Sequence, residues 1–161
     1  KTFWSTGHRN ILGLAFDQSG QLWATEMGPK GGDEFNLIKR GKDYGWPMVS
    51  EGTHYDGRHI PNHSDFPKYE PPKLSWNPSI APAGLTISSF HNFSDESTSA
   101  FLTGLRGQAI IEVKVSRNNA TVLEKFQWGK RVREVDEGAL GSLWVLEDGK
   151  GARLLKLSFL E

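Results

Sequence analysis

Two seven-residue words constrain this chain more than any other feature. Gly20-Gln21-Leu22-Trp23-Ala24-Thr25-Glu26 and Gly141-Ser142-Leu143-Trp144-Val145-Leu146-Glu147 align at a constant offset of 121 residues. The first follows an apolar stretch, Ile11, Leu12, Leu14 and Phe16, and the turn Asp17-Gln18-Ser19-Gly20. The second follows Val132-Arg133-Glu134-Val135 and the turn Gly138-Ala139-Leu140-Gly141. An apolar strand, a glycine turn and an apolar return describe a β-hairpin, so one hairpin is written twice. A weaker third copy starts at Ala83-Gly84-Leu85-Thr86-Ile87, echoing Leu12-Gly13-Leu14-Ala15-Phe16, and continues through Ala100–Thr103 and Ala109–Val113.

Repeats of about 40 to 50 residues built from four short strands are the mark of β-propeller blades. The expected fold class is therefore all-β, with blade starts near residues 10, 82 and 131 and strands of the last copy at about 131–136, 142–147 and 152–159. The first interval is lengthened by an irregular loop insertion at about 45–82, which holds most of the eight prolines and is expected to run over the surface. Residues 1–5 read as the tail of a strand whose blade is missing. Three blades leave open edges and two uncovered apolar faces, so the chain is expected to be about half of a larger ring.

Composition narrows the function. With 37% hydrophobic and 24% charged residues the chain is neither disordered nor fibrous. Nineteen basic residues balance nineteen acidic ones, so no basic face argues for nucleic acid or an anionic membrane. No apolar run approaches the ~20 residues of a transmembrane segment, and the first five residues lack the apolar region of a signal peptide. The absence of cysteine removes disulfides and thiolate metal sites without fixing the compartment.

Gly7-His8-Arg9-Asn10 precedes one inner strand, and Lys130-Arg131-Val132-Arg133 lies at the equivalent place 121 residues later. Inner strands line the channel of a propeller, so Arg9, Arg131 and Arg133 are candidates to converge as planar donors to an anionic ligand. Taken singly, each is equally a solvated arginine or a partner of a local carboxylate such as Glu134. The Gly/Pro loop Glu26–Glu34 ends in two carboxylates, a composition that suits a hard cation but is also that of an ordinary acidic turn. The five histidines show no zinc spacing, and no nucleophile-elbow or phosphate-loop motif occurs. Trp46 and Trp76 flank the inserted loop, where either can stack on a flat ligand or fill a blade core.

Six separated motifs, GHRNILGLAF, ATEMGPKGGDEFNLI, YGWP, THYDG, WNPSIAPAGL and RVREV, resemble in order and spacing the soluble quinoprotein aldose sugar dehydrogenases, the glucose/sorbosone dehydrogenase family. The resemblance covers nearly the whole chain. It implies a six-bladed β-propeller of which residues 1–161 are the C-terminal portion, about three blades, with the N-terminal blades absent.

The resemblance also implies pyrroloquinoline quinone (PQQ) and Ca2+ as cofactors. On matching positions, Arg9, Asn10, Tyr55, Arg106, Arg131 and Arg133 contact PQQ, and the carbonyls of Gly28 and Pro29 reach the calcium on the quinone. Glu34 and the Tyr44 carbonyl belong to a second, structural calcium. Three carboxylates on PQQ account for the arginines, and calcium takes oxygen ligands. The implied reaction is oxidation of an aldose at its anomeric carbon to the lactone, with hydride passing to PQQ and onward to an external electron acceptor. The general base of the family is a His from an earlier blade, so no catalytic residue is expected in this segment, and His8 is expected to buttress the Arg-Asn loop. Ile11 stands where the family usually has Pro, and Met27 where a polar residue is usual.

A periplasmic or secreted location follows from the same resemblance, and the oligomeric state is left open. Two other classes compete. Hedgehog-interacting domains are similar to this family and act by contact, but they are cysteine-rich, so the absence of cysteine favours an enzyme. A segment without its base and half its pocket is expected to be inactive alone.

Overall fold

The computed structural model describes residues 2–94 and 97–158. Eleven strands form three antiparallel sheets, and among the described residues the only helical elements are two three-residue 3-10 turns. The first sheet contains β1 (Ile11–Phe16), β2 (Leu22–Glu26), β3 (Asp33–Ile38) and β4 (Leu74–Trp76). The second contains β5 (Pro82–Ser94), β6 (Ser97–Gly104), β7 (Ala109–Ser116) and β8 (Asn119–Gln127). The third contains β9 (Val132–Glu137), β10 (Leu143–Glu147) and β11 (Leu154–Leu157). In each sheet spatial order follows chain order, the up-and-down meander of a propeller blade. No helix among the described residues is long and apolar enough to cross a membrane.

The repeated word has a repeated register. Trp23 lies opposite Ala15 and Leu22 opposite Phe16. In the third sheet Trp144 lies opposite Asp136 and Leu143 opposite Glu137, all shifted by the same 121 residues. The environments differ, however. Trp23 is fully buried and stacks on Phe35 at 5.0 Å, in a core shared with Leu85, Leu102, Ile111 and Val113 of the second sheet. Trp144 is 42% exposed, because no further sheet covers its face among the described residues. On the other side of the second sheet, Phe101 and Ile110 pack against Val132, Val135, Leu143 and Val145 of the third. The arrangement is a run of stacked blades, as expected for part of a β-propeller.

Inner strands crowd where the blades meet, and glycine makes this possible at two repeated positions. A Cβ on Gly13 of β1 would lie 2.7 Å from Thr25 Oγ1 and 2.8 Å from the Ala83 carbonyl of β5. A Cβ on Gly84 of β5 would collide with the Glu134 carboxylate of β9. The shared Gly in Leu12-Gly13-Leu14 and Ala83-Gly84-Leu85 is thus a seam position. Thr25 also donates its hydroxyl to the Ala83 carbonyl at 3.0 Å across the first seam.

Two local expectations differ from the structure. Residues 2–5 make no strand; instead Trp4 accepts from Gly41 N–H at 2.7 Å and Thr6 bridges to Asp43. The irregular segment occupies residues 39–73, and Leu74–Trp76 within the expected insertion return as β4, the outer strand of the first blade.

Candidate functional site

The meander places alternate connections at one end of the blades. That end carries the segments leading into β1, β5 and β9 and the β2–β3, β6–β7 and β10–β11 loops. Every residue singled out from the sequence lies in one of these connections, at the ends of the strands flanking them, or in the long β3–β4 segment.

Glu26, the last residue of β2, organises the first cluster. It is only 3% exposed and accepts from the backbone N–H of Arg9 and, at 3.1 Å, from that of Asn10. It also meets His8 Nδ1 at 3.1 Å. With Nδ1–H donating to the carboxylate, His8 Nε2 accepts from the Ser5 hydroxyl at 2.8 Å, and the ring stacks on Tyr44 at 4.6 Å. Both ring nitrogens of His8 are therefore engaged in holding the loop.

Arg9 donates through Nη1 to the Met27 carbonyl at 2.8 Å and through Nη2 to the Tyr55 hydroxyl at 3.4 Å. Its guanidinium carbon stands 5.3 Å from the centre of the Trp46 ring, a cation–π distance. The structure thus brings together Arg9, Tyr55 and Trp46 from segments far apart in sequence. Tyr55 is 71% exposed, so this cluster opens to solvent.

Beneath it lies a cavity of about 10 Å³, lined by Arg9, Glu26, Gly28, Pro29, Glu34 and Tyr44 among others. Gly28 and Pro29 are buried, and neither carbonyl accepts a hydrogen bond from the described residues. Glu34 is 8% exposed and accepts from Asn36 Nδ2 at 2.9 Å. Burial, with the Glu26 charge adding to it, raises its carboxyl pKa to about 7. Asn36 Oδ1 is buried without a hydrogen-bond partner. The Tyr44 hydroxyl bridges Lys39 N–H and the Leu37 carbonyl, burial pushes its pKa up to about 12, and its own carbonyl faces His63 Nε2 at 3.1 Å. The carboxylates and open carbonyls of this lining are oxygen donors of the kind that a hard cation takes. No cluster of three or more metal-ligating His, Asp or Glu side chains occurs among the described residues, so backbone carbonyls would carry much of such a site.

Arg131 and Arg133 form a second cluster around Asp148, in the β10–β11 loop. Arg131 Nε donates to Asp148 Oδ2 at 2.5 Å, and Arg133 donates through Nη2 and Nε to Oδ1 at 2.9 and 3.3 Å. Hydrogen bonds from these two guanidinium groups hold the Asp148 carboxyl below the usual carboxylate range. The local partner is Asp148 and not Glu134, which instead inserts at the Gly84 seam, where burial raises its pKa. Arg106 stands apart in the β6–β7 turn, its N–H bonded to the Ile80 carbonyl at 3.0 Å, beside an open cleft shared with Trp76, Asn77 and Lys125.

Three carboxylates organise the site in ways that the sequence did not assign. Glu26 is one, and the match of Glu26 to Glu147 was the signal for it. Asp33, fully buried, joins the β2–β3 loop to the approach to β5 by accepting from Gly28, Ser79, Ile80 and Ala81 at 2.7 to 3.0 Å. Asp148 is the third.

The Glucose / Sorbosone dehydrogenase family profile matches residues 1–156. The aldose sugar dehydrogenase YliI of Escherichia coli is 34% identical over 160 residues, covering 96% of this chain and 43% of that protein. The apo crystal structure of the soluble aldose sugar dehydrogenase from Escherichia coli superposes with a TM-score of 0.81 over 97% of this chain and 46% of that one, at 34% identity. A PQQ-bound aldose sugar dehydrogenase from Streptomyces coelicolor superposes with a TM-score of 0.66 at 28% identity, covering 95% and 44% of the two chains. The chain thus spans less than half the length of these relatives. By the extent of the profile match, this chain belongs to the glucose/sorbosone dehydrogenase family.

Proposed function

We propose that this chain supplies the cofactor-binding face of a quinoprotein sugar oxidoreductase that converts aldoses to lactones. The observation carrying this reading is that Arg9, Gly28, Pro29, Glu34 and Tyr44, drawn from four separate segments, line one small oxygen-rich cavity, with Tyr55 and Trp46 beside Arg9.

The chemistry of the residues fits the cofactors. Gly28 and Pro29 would hold Ca2+ through carbonyls that no donor among the described residues occupies, and Glu34 with the Tyr44 carbonyl would hold a second, structural Ca2+. The guanidinium groups of Arg9, Arg106, Arg131 and Arg133 would pair with carboxylates of PQQ, and the Asn10 side chain would add a hydrogen bond. When bound beside calcium, PQQ supplies the acceptor for the two electrons leaving the anomeric carbon.

The protein's part is orientation and charge. Arg9 is pinned by the Met27 carbonyl and Trp46, so its positive charge is fixed before any ligand arrives. Glu26 keeps the Arg9-Asn10 loop in place. The anomeric hydroxyl needs a general base, and His8, held by Ser5 and Glu26, is not it; a His outside this chain is assigned that role. An external electron acceptor and a periplasmic or secreted location complete the proposal.

Reconstitution of the full-length protein with PQQ and calcium tests it. Aldose-dependent reduction of an artificial electron acceptor is the expected result. Failure to bind PQQ, together with no turnover of any aldose, overturns it.

A further inference from the structure

Resting on the proposed cofactor role of Arg131 and Arg133, the geometry points to Asp148 as the positioning residue that holds both guanidinium groups ready for a polycarboxylate ligand.

Asp148 is 23% exposed at its side chain, and each carboxylate oxygen serves one arginine: Oδ2 takes Arg131 Nε and Oδ1 takes Arg133 Nη2 and Nε. The main chain that carries the carboxylate is anchored, since Asp148 N–H donates to the Arg131 carbonyl at 2.8 Å beside the β9–β10 pairing. Arg131 uses only its Nε edge, so neither of its terminal nitrogens is taken by Asp148. Arg133 uses Nε and Nη2, which leaves Nη1 away from the carboxylate. A planar guanidinium bound along one edge keeps another edge for a second carboxylate. Both side chains are about half exposed, 48% and 45%, and long flexible arginines at such exposure lose entropy when a ligand fixes them. Fixing them beforehand removes part of that cost.

Glu147, the preceding residue, has separate partners: Arg153, the Trp128 indole and Lys130. Thus adjacent carboxylates divide the work, Glu147 tying down the loops and Asp148 the two arginines.

Positioning and simple electrostatics predict opposite signs. Removing a negative charge beside two cations raises the local positive potential and should tighten binding of an anion. Removing the fork frees both arginines and should weaken it. The test is PQQ titration of the full-length protein in calcium-containing buffer, followed by tryptophan fluorescence, with Asp148→Asn and Asp148→Glu compared with the wild type. Nε–H resonances of Arg131 and Arg133 are recorded in parallel without PQQ.

Asp148→Asn is expected to weaken PQQ binding by about tenfold and to shift both Nε–H signals, while Asp148→Glu restores most of the affinity. Equal or tighter binding by a folded Asp148→Asn protein overturns the positioning role while leaving the proposed function intact. Failure of the wild type to bind PQQ overturns both. Should Asp148→Asn not fold, Asp148→Ser decides the matter, since wild-type PQQ affinity with unshifted Nε–H signals in that variant overturns the positioning role.

Discussion

Glu26 and Glu147 hold the same position in two blades and perform the same task. Each is the last residue of its blade's second strand and each is buried, 3% and 2% exposed. Each reaches back to the segment that leads into its own inner strand. Glu26 accepts from the backbone of Arg9 and Asn10, whereas Glu147 accepts from the Trp128 indole at 3.0 Å and Lys130 at 3.4 Å. The repeat therefore duplicates a latch as well as a hairpin: it is the carboxylate that aims the ligand-facing loop.

Loss of the first latch should cost stability. Glu26→Gln presents an amide donor to three donors that now share a carboxylate, and is expected to lower unfolding free energy by about 1 to 3 kcal/mol. Urea unfolding measures this. Glu124→Gln, on the exposed strand β8, should change it by no more than about 0.5 kcal/mol.

The seam glycines give a contrast in kind. Gly13→Ala and Gly84→Ala each force a methyl group into a neighbouring inner strand and should destabilise by roughly 1 to 3 kcal/mol. Gly20→Ala meets nothing within 4 Å but carries a φ of +81°, so only the backbone penalty of roughly 1 kcal/mol applies. Thermal unfolding that ranks Gly20→Ala as the most harmful of the three would contradict the seam.

Glu34 makes stability depend on pH in an unusual direction for a carboxylate. Its folded pKa, about 7, lies above the ordinary 4.5, so the folded state holds the proton more tightly than the unfolded state. Stability is then greatest below the unfolded value and declines as pH rises through the folded one, by up to about 3 kcal/mol for the apoprotein. Urea midpoints in chelator-treated buffer should fall between about pH 5 and pH 8. Glu34→Gln should flatten that slope, and a slope unchanged in the variant assigns it elsewhere.

Arg9→Lys keeps the charge but loses the planar fork that reaches the Met27 carbonyl and Tyr55 while lying over Trp46. PQQ affinity of the full-length protein should drop by about tenfold. Retention of full affinity in a fluorescence titration would reduce Arg9 to a source of charge.

The sequence revealed most of the architecture where local pattern and tertiary role coincide. The two hairpins were legible because alternating apolar residues surround glycine turns, and the pairing of Trp23 with Ala15 repeats in that of Trp144 with Asp136. By contrast β4 is three residues long and pairs with β3 from some 40 positions away, Trp76 lying opposite Asp33, so nothing local announces it. Arg9 could be found from its motif, but its company could not: Trp46 and Tyr55 reach it through the irregular β3–β4 segment. Asp148 sits in Glu147-Asp148-Gly149-Lys150, which reads as an ordinary surface turn. Only the antiparallel return of β10 along β9 brings that turn beside Arg131.

Trp23 and Trp144 share a register and differ in their surroundings, one sealed and the other 42% exposed. This difference makes the second indole an optical gauge. Whatever comes to rest against the open face of the third blade will shift Trp144 emission toward the blue, a change that a Trp144→Phe variant, compared in parallel, assigns to this indole and not to the other five. Docking against that face can therefore be followed by light, without attaching a label.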